Sequence, residues 1–78
     1  MTEEAKKIAK ELAKTEREIR LALGISQREL ERRTNIAQPN ISRFEAGNYN
    51  PTVDFLNNLA KGLGKKLVIT FKNTEEAK

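Results

Sequence analysis

The chain contains no cysteine and no histidine. Without cysteine there is no disulfide, no thiolate metal site and no cysteine nucleophile. Without histidine the commonest general base, the Ser-His-Asp triad and the His-ligated zinc site are excluded. Carboxylates are numerous, but no pair has a partner in an arrangement that chemistry would use. Neither catalysis, nor a metal, nor a cofactor is expected. No apolar run approaches the roughly 20 residues of a membrane span. The mixed Lys/Glu N-terminus does not read as a signal peptide. A soluble, cytoplasmic chain without membrane contact is the expectation. Internal repeats and low-complexity segments are absent.

What is there is short and mildly basic. The 78 residues, 37% hydrophobic, describe one small domain with a thin core, and chains of this size often need a partner subunit. The net charge of +4 permits nucleic acid without requiring it. Much of the excess falls in residues 51–73, where four lysines face one aspartate. No block of like charge occurs, so most of the surface reads as solvated and of mixed sign.

Residues 3–23 lack Gly and Pro and are rich in Ala, Lys, Glu and Leu, which predicts a long helix. Ile8, Leu12, Thr15, Ile19 and Leu23 recur at steps of three and four and predict its core-facing stripe. Leu21 lies off that stripe, and Gly24 is a C-terminal stop. Ser26-Gln27-Arg28-Glu29 is a capping box that opens a second helix, ending near Asn35. A third helix begins near Gln38, tolerates Pro39 in its first turn, and closes at Gly47. Thr52 caps a fourth, with Asp54 in its first turn; Phe55, Leu56, Leu59, Ala60 and Leu63 form its apolar face, and Gly64 ends it. From Lys66 to Lys72 the period changes to two and predicts a strand. Residues 73–78 read as a polar tail.

Two short helices joined by about three residues must cross steeply, which lets the second project from the surface. An α-helix fits the major groove of DNA. Ile41 and Phe44 face inward, which leaves Gln38, Asn40, Ser42 and Arg43 outward. Gln and Asn can bond adenine in two places, and Arg can do the same with guanine.

The combination SQ-x-EL, NISRFE-x-G, NPT and LAKGLGKKL resembles the Xre/Cro family of helix-turn-helix DNA-binding domains over about residues 16–67. The KKLVITF extension is similar to that of the small antitoxin-type members, the HigA-like and HipB-like proteins. The resemblance implies an all-α, lambda-repressor-like bundle of four to five helices. It implies base reading by Gln38, Pro39, Asn40 and Arg43. Phosphate contacts fall to Gln27, Arg28, Asn48, Asn50 and Thr52, and a partly buried ion pair to Arg20 and Glu45. Some positions depart from the family's pattern. Glu31 stands where a small residue is usual, Thr34 where Leu or Val is, and Asn35 where Gly is. Ala37 replaces a capping hydroxyl, and Pro39 replaces a polar reader and offers only apolar contact.

The expected domain is therefore residues 1–72, a helix-turn-helix unit with a long N-terminal helix and a C-terminal strand. The lone strand, Leu67, Val68, Ile69, Thr70 and Phe71, has no mate in its own chain and predicts pairing across a homodimer. The expected function is a dimeric, sequence-specific repressor on a double-stranded DNA operator. The alternative is an antitoxin that neutralises a toxin protein and represses its own operon. RNA is disfavoured, since no stacking aromatics sit on a sheet.

Overall fold

The computed structural model describes residues 1–74. Four helices follow one another: α1 (Glu3–Ala22), α2 (Gln27–Thr34), α3 (Gln38–Glu45) and α4 (Val53–Gly62). Their starts obey side-chain capping. Thr2, Ser26 and Thr52 accept from the backbone N–H groups of Ala5, Glu29 and Phe55, each at 3.0 Å. Gly24 and Gly64 follow α1 and α4 at φ of +70°, a left-handed conformation that suits a residue without Cβ.

The core lies where α2, α3 and α4 converge. Leu30, Ile41, Phe44 and Leu59 are fully buried, with Ala13, Ile25, Phe55 and Leu63 around them. Phe44 meets Phe55 edge-to-face at 5.3 Å between centroids, a geometry favoured by the ring quadrupoles. Tyr49, from the loop before α4, also packs on Phe55, at 4.7 Å between centroids. It closes the edge of the core.

α1 packs on α3, but not by the predicted stripe. Ile8 is 60% exposed, Leu23 49% and Leu12 37%; only Ile19 of the apolar members is partly buried. The buried face is Ala9, Ala13, Glu16 and Arg20, the neighbouring row of the same helix. Two small alanines allow close packing, and beyond them Arg20 binds Glu45 of α3 rather than solvent.

α4 approaches α2 through Gly62. A Cβ there would collide with Thr34 Cγ2 and crowd Leu30 Cδ1. The close approach is fixed by Arg33 Nη1 donating to the Gly62 carbonyl at 3.2 Å and Asn58 Nδ2 donating to the Thr34 carbonyl at 3.3 Å.

The predicted strand is not formed: residues 65–74 carry no regular secondary structure. The physical reason is the absence of a ladder partner, because everything described before them is helix or turn. Leu67 is half-buried, whereas Val68, Ile69 and Phe71 are exposed by 74%, 59% and 100%. Of the predicted polar tail, 75–78 lie outside the described residues. Among the described residues no helix is long and apolar enough to cross a membrane.

Candidate nucleic-acid interface

The turn between α2 and α3 owes its sharpness to two side chains. Asn35 adopts φ 61°, and its N–H bonds the Glu31 carbonyl at 2.7 Å, the left-handed exit that Asn tolerates. Thr34, buried, donates to the Leu30 carbonyl at 2.7 Å and accepts from the Ile36 N–H at 3.1 Å. Here a hydroxyl in place of an aliphatic side chain satisfies a turn amide that would otherwise be unpaired.

After that turn α3 is anchored by Ile41 and Phe44. Its first turn has no side-chain cap, as Ala37 predicts. Pro39 has no N–H, and the Asn40 and Ile41 N–H groups both return to the Ala37 carbonyl at 2.9 and 3.3 Å, which leaves the Gln38 N–H of this first turn without a helical acceptor. Pro39 and Arg43 stand exposed on this helix, and Gln38 and Asn40 are half-buried. Arg43 folds back along its own helix: Nη2 donates to Asn40 Oδ1 at 2.8 Å and Nε to the Pro39 carbonyl at 3.3 Å. The Asn40 carbonyl is thus occupied and its amide group remains to donate.

Gln27, at the start of α2, sits between Gln38 and the interior. Its Oε1 accepts from Gln38 Nε2 at 3.5 Å, a long contact, and its Nε2 donates to Glu45 Oε1 at 3.1 Å. Glu45 is held in turn by Arg20, whose Nε and Nη2 each donate at 2.7 Å. The third guanidinium nitrogen, Nη1, donates to the Ile25 carbonyl at 2.8 Å. Both partners are largely buried, with side-chain exposures of 8% and 3%. A bidentate pair of this kind fixes orientation more than it adds stability. Burial alone would raise the Glu45 carboxyl, but the bonds from Arg20, Glu16 and Gln27 hold it below the usual carboxylate range.

The remaining expected phosphate contacts lie at the two ends of this surface. Arg28 is exposed on α2, and Asn48, Asn50 and Thr52 are exposed in the loop after α3. The Thr52 oxygen accepts from Phe55 N–H, which leaves its O–H free to donate. By contrast, Arg32 and Arg33 are both engaged with Glu29, and these pairs lower the Glu29 carboxyl.

Sequence reasoning missed one member of the buried network. Glu16, one turn before Arg20, is 7% exposed. Burial, and after it the neighbouring Glu45, pushes its carboxyl up to about 8. The signal was present: Glu16 stands four residues before Arg20, already expected in a buried ion pair, on the same face as Ala9 and Ala13, yet it falls under the general reading of the surface as solvated and of mixed sign.

The family model described as helix-turn-helix matches residues 17–69. A Haemophilus influenzae protein described as an uncharacterized HTH-type transcriptional regulator is 46% identical over 50 residues, covering 64% of this chain and 51% of that protein. The chain thus spans about half the length of this relative. No solved structure matches it. The match covers α2, the turn, α3 and α4 together, so the chain belongs to the Xre/Cro-type helix-turn-helix family.

Proposed function

We propose that the chain is a sequence-specific, double-stranded DNA-binding transcriptional regulator acting as a dimeric repressor. The observation that carries this reading is the outward face of α3. Pro39 and Arg43 are exposed there and Gln38 and Asn40 half-exposed, while Ile41 and Phe44 lock the opposite side into the core. Gln38, Asn40 and Arg43 read base edges, and Pro39 offers apolar contact to a thymine methyl. Gln27, Arg28, Asn48, Asn50 and Thr52 contact the flanking phosphates and set the register without carrying sequence information. The HTH-type regulator that resembles this chain supports the assignment.

The dimer rests on the segment after α4. Val68, Ile69 and Phe71 expose apolar side chains beside unpaired backbone, and such an edge invites a second chain. Antiparallel pairing of residues 66–72 about a two-fold axis would turn both α3 helices to one side of the duplex. Selection from random duplex DNA tests the function. The expected result is a near-palindromic motif with half-site centres about 34 Å apart or a multiple of it. A pool without enrichment would contradict the proposal.

An antitoxin role is the second reading. One observation favours it: an apolar groove of about 280 Å³ between α1, α4 and residues 65–68, on a surface that DNA contact leaves open. A toxin-like reading frame beside the gene, whose product co-purifies with this chain, would decide for it.

A further inference from the structure

The buried network holds two carboxyl groups and one guanidinium. Arg20 spends its donors on Glu45 and on the Ile25 carbonyl, and none reaches Glu16, whose two oxygens are buried without a donor. With both glutamates ionised the site would hold an uncompensated negative charge, which a buried site disfavours strongly. A carboxylate offers about four lone-pair sites. Three of those on Glu45 are filled, by Arg20 Nε, Arg20 Nη2 and Gln27 Nε2. One is left, on Oε2, and Glu45 is the carboxyl group that neighbours the two unpartnered Glu16 oxygens.

We propose that Glu16 is a positioning residue: as the neutral acid it donates a hydrogen bond to the Glu45 carboxylate and so fixes the Gln27–Gln38 pair at the DNA-facing surface, which makes DNA binding proton-linked. This rests on the DNA-binding reading above. The path is short. On this reading Glu16 donates to Glu45; Glu45 accepts from Gln27, and Gln27 accepts from Gln38. When Glu16 loses its proton, two carboxylates compete for one guanidinium. Glu45 is then pushed away from its place, and Gln27 loses the acceptor that orients its amide.

Among the described residues, the groups around Glu16 leave no other partner. α1 supplies Arg20, and α3 supplies Glu45. α4 and the residue that follows it present only Leu56, Leu59, Ala60 and Leu63 to the same groove. Lys65 and Lys66 also line it, but both are exposed, and solvent screens their charge. The raised Glu16 carboxyl, titrating near 8, is what this arrangement requires.

The test compares the wild-type chain with Glu16→Gln and Glu16→Leu. Each is titrated with a duplex enriched by selection, at fixed salt, from about pH 6 to about pH 9, with circular dichroism confirming the fold. Wild-type affinity should weaken about tenfold over that range, equivalent to about 1.4 kcal/mol. Glu16→Gln should bind at every pH as the wild type does at low pH, because its amide donates without ionising. Glu16→Leu should be flat and weak, because it lacks the donor. The same profile in wild type and Glu16→Gln would overturn the proposal.

Carbon-13 NMR of the Glu16 carboxyl gives a second readout without DNA. It should titrate near 8, with the Gln27 side-chain amide resonance following the same curve. A midpoint in the ordinary carboxylate range, or a Gln27 amide that does not follow, overturns the proposal as well. A chain that binds no duplex at any pH would sink the DNA-binding reading, and the NMR titration would still decide the role of Glu16.

Discussion

Arg43 is the only basic residue of α3, and in the free protein it rests on Asn40 and Pro39. If it reads DNA as proposed, it exchanges those bonds for base or phosphate acceptors. Arg43→Ala should cost about 1–3 kcal/mol on the preferred site and relax one base position. Repeating the selection with the variant checks this; an unchanged motif would remove Arg43 from the readers. Glu16 sets a different expectation, in stability. Its carboxyl moves from 4.5 to about 8 on folding, so the native state holds a proton that the unfolded chain has lost. That stabilisation is complete below 4.5 and is lost as pH rises through about 8. Glu45, lowered on folding, works in the opposite sense: its contribution is present above its ordinary value and disappears in strong acid. Urea unfolding should therefore show stability falling by about 1.4 kcal/mol per unit between mildly acidic and mildly alkaline pH. The Glu16→Gln variant should lack that slope.

Helices and turns were the more legible scale. The capping box at Ser26–Glu29, the Thr52 cap, the left-handed Asn35 and the missing cap at Ala37 all follow from local chemistry that a few residues specify. The face of α1 was not legible, because two adjacent rows of one helix compete. One carries Ile8, Leu12, Ile19 and Leu23, and the other Ala9, Ala13, Glu16 and Arg20. Hydrophobicity favours the first. Close approach to α3, together with a buried partner for Arg20, selects the second, and both depend on residues far along the chain. Gly62 was hidden for the same reason, since only the crossing with α2 reveals its role. Gly62→Ala should cost about 1–3 kcal/mol, because Thr34 and Leu30 must give way. Thermal unfolding measures it, and a wild-type midpoint would show that α2 and α4 can separate freely. Ala37→Ser only offers the Asn40 N–H a second acceptor beside the Ala37 carbonyl it already bonds, and Pro39 has no N–H to cap, so it should stabilise by no more than about 0.5 kcal/mol; a larger gain in thermal unfolding would mean that the Asn40 amide lacks a partner in solution.

The whole molecule leaves apolar surface uncovered. Leu12 and Val68 border the groove, Leu56 and Leu67 line it, and Ile69 and Phe71 project beyond it. The alternating pattern of residues 66–72 was readable, but its secondary structure was not, because a strand exists only with the chain it pairs to. Light scattering at micromolar concentration should report a dimer. Ile69→Pro, or truncation after Gly64, should report a monomer that binds the full site much more weakly. An intact chain that is monomeric and still grips one half-site tightly would overturn the pairing.

The central claim is that the outward face of α3 lies against base edges. Nitrogen-15 NMR of the chain, titrated with a duplex enriched by selection, tests it most directly. The largest shifts should fall on the side-chain amides of Gln38 and Asn40 and on Arg43 Nε, with smaller ones at Gln27, Arg28 and residues 48–52. Shifts confined to the outer face of α1 or to residues 65–72, with α3 unmoved, would contradict it.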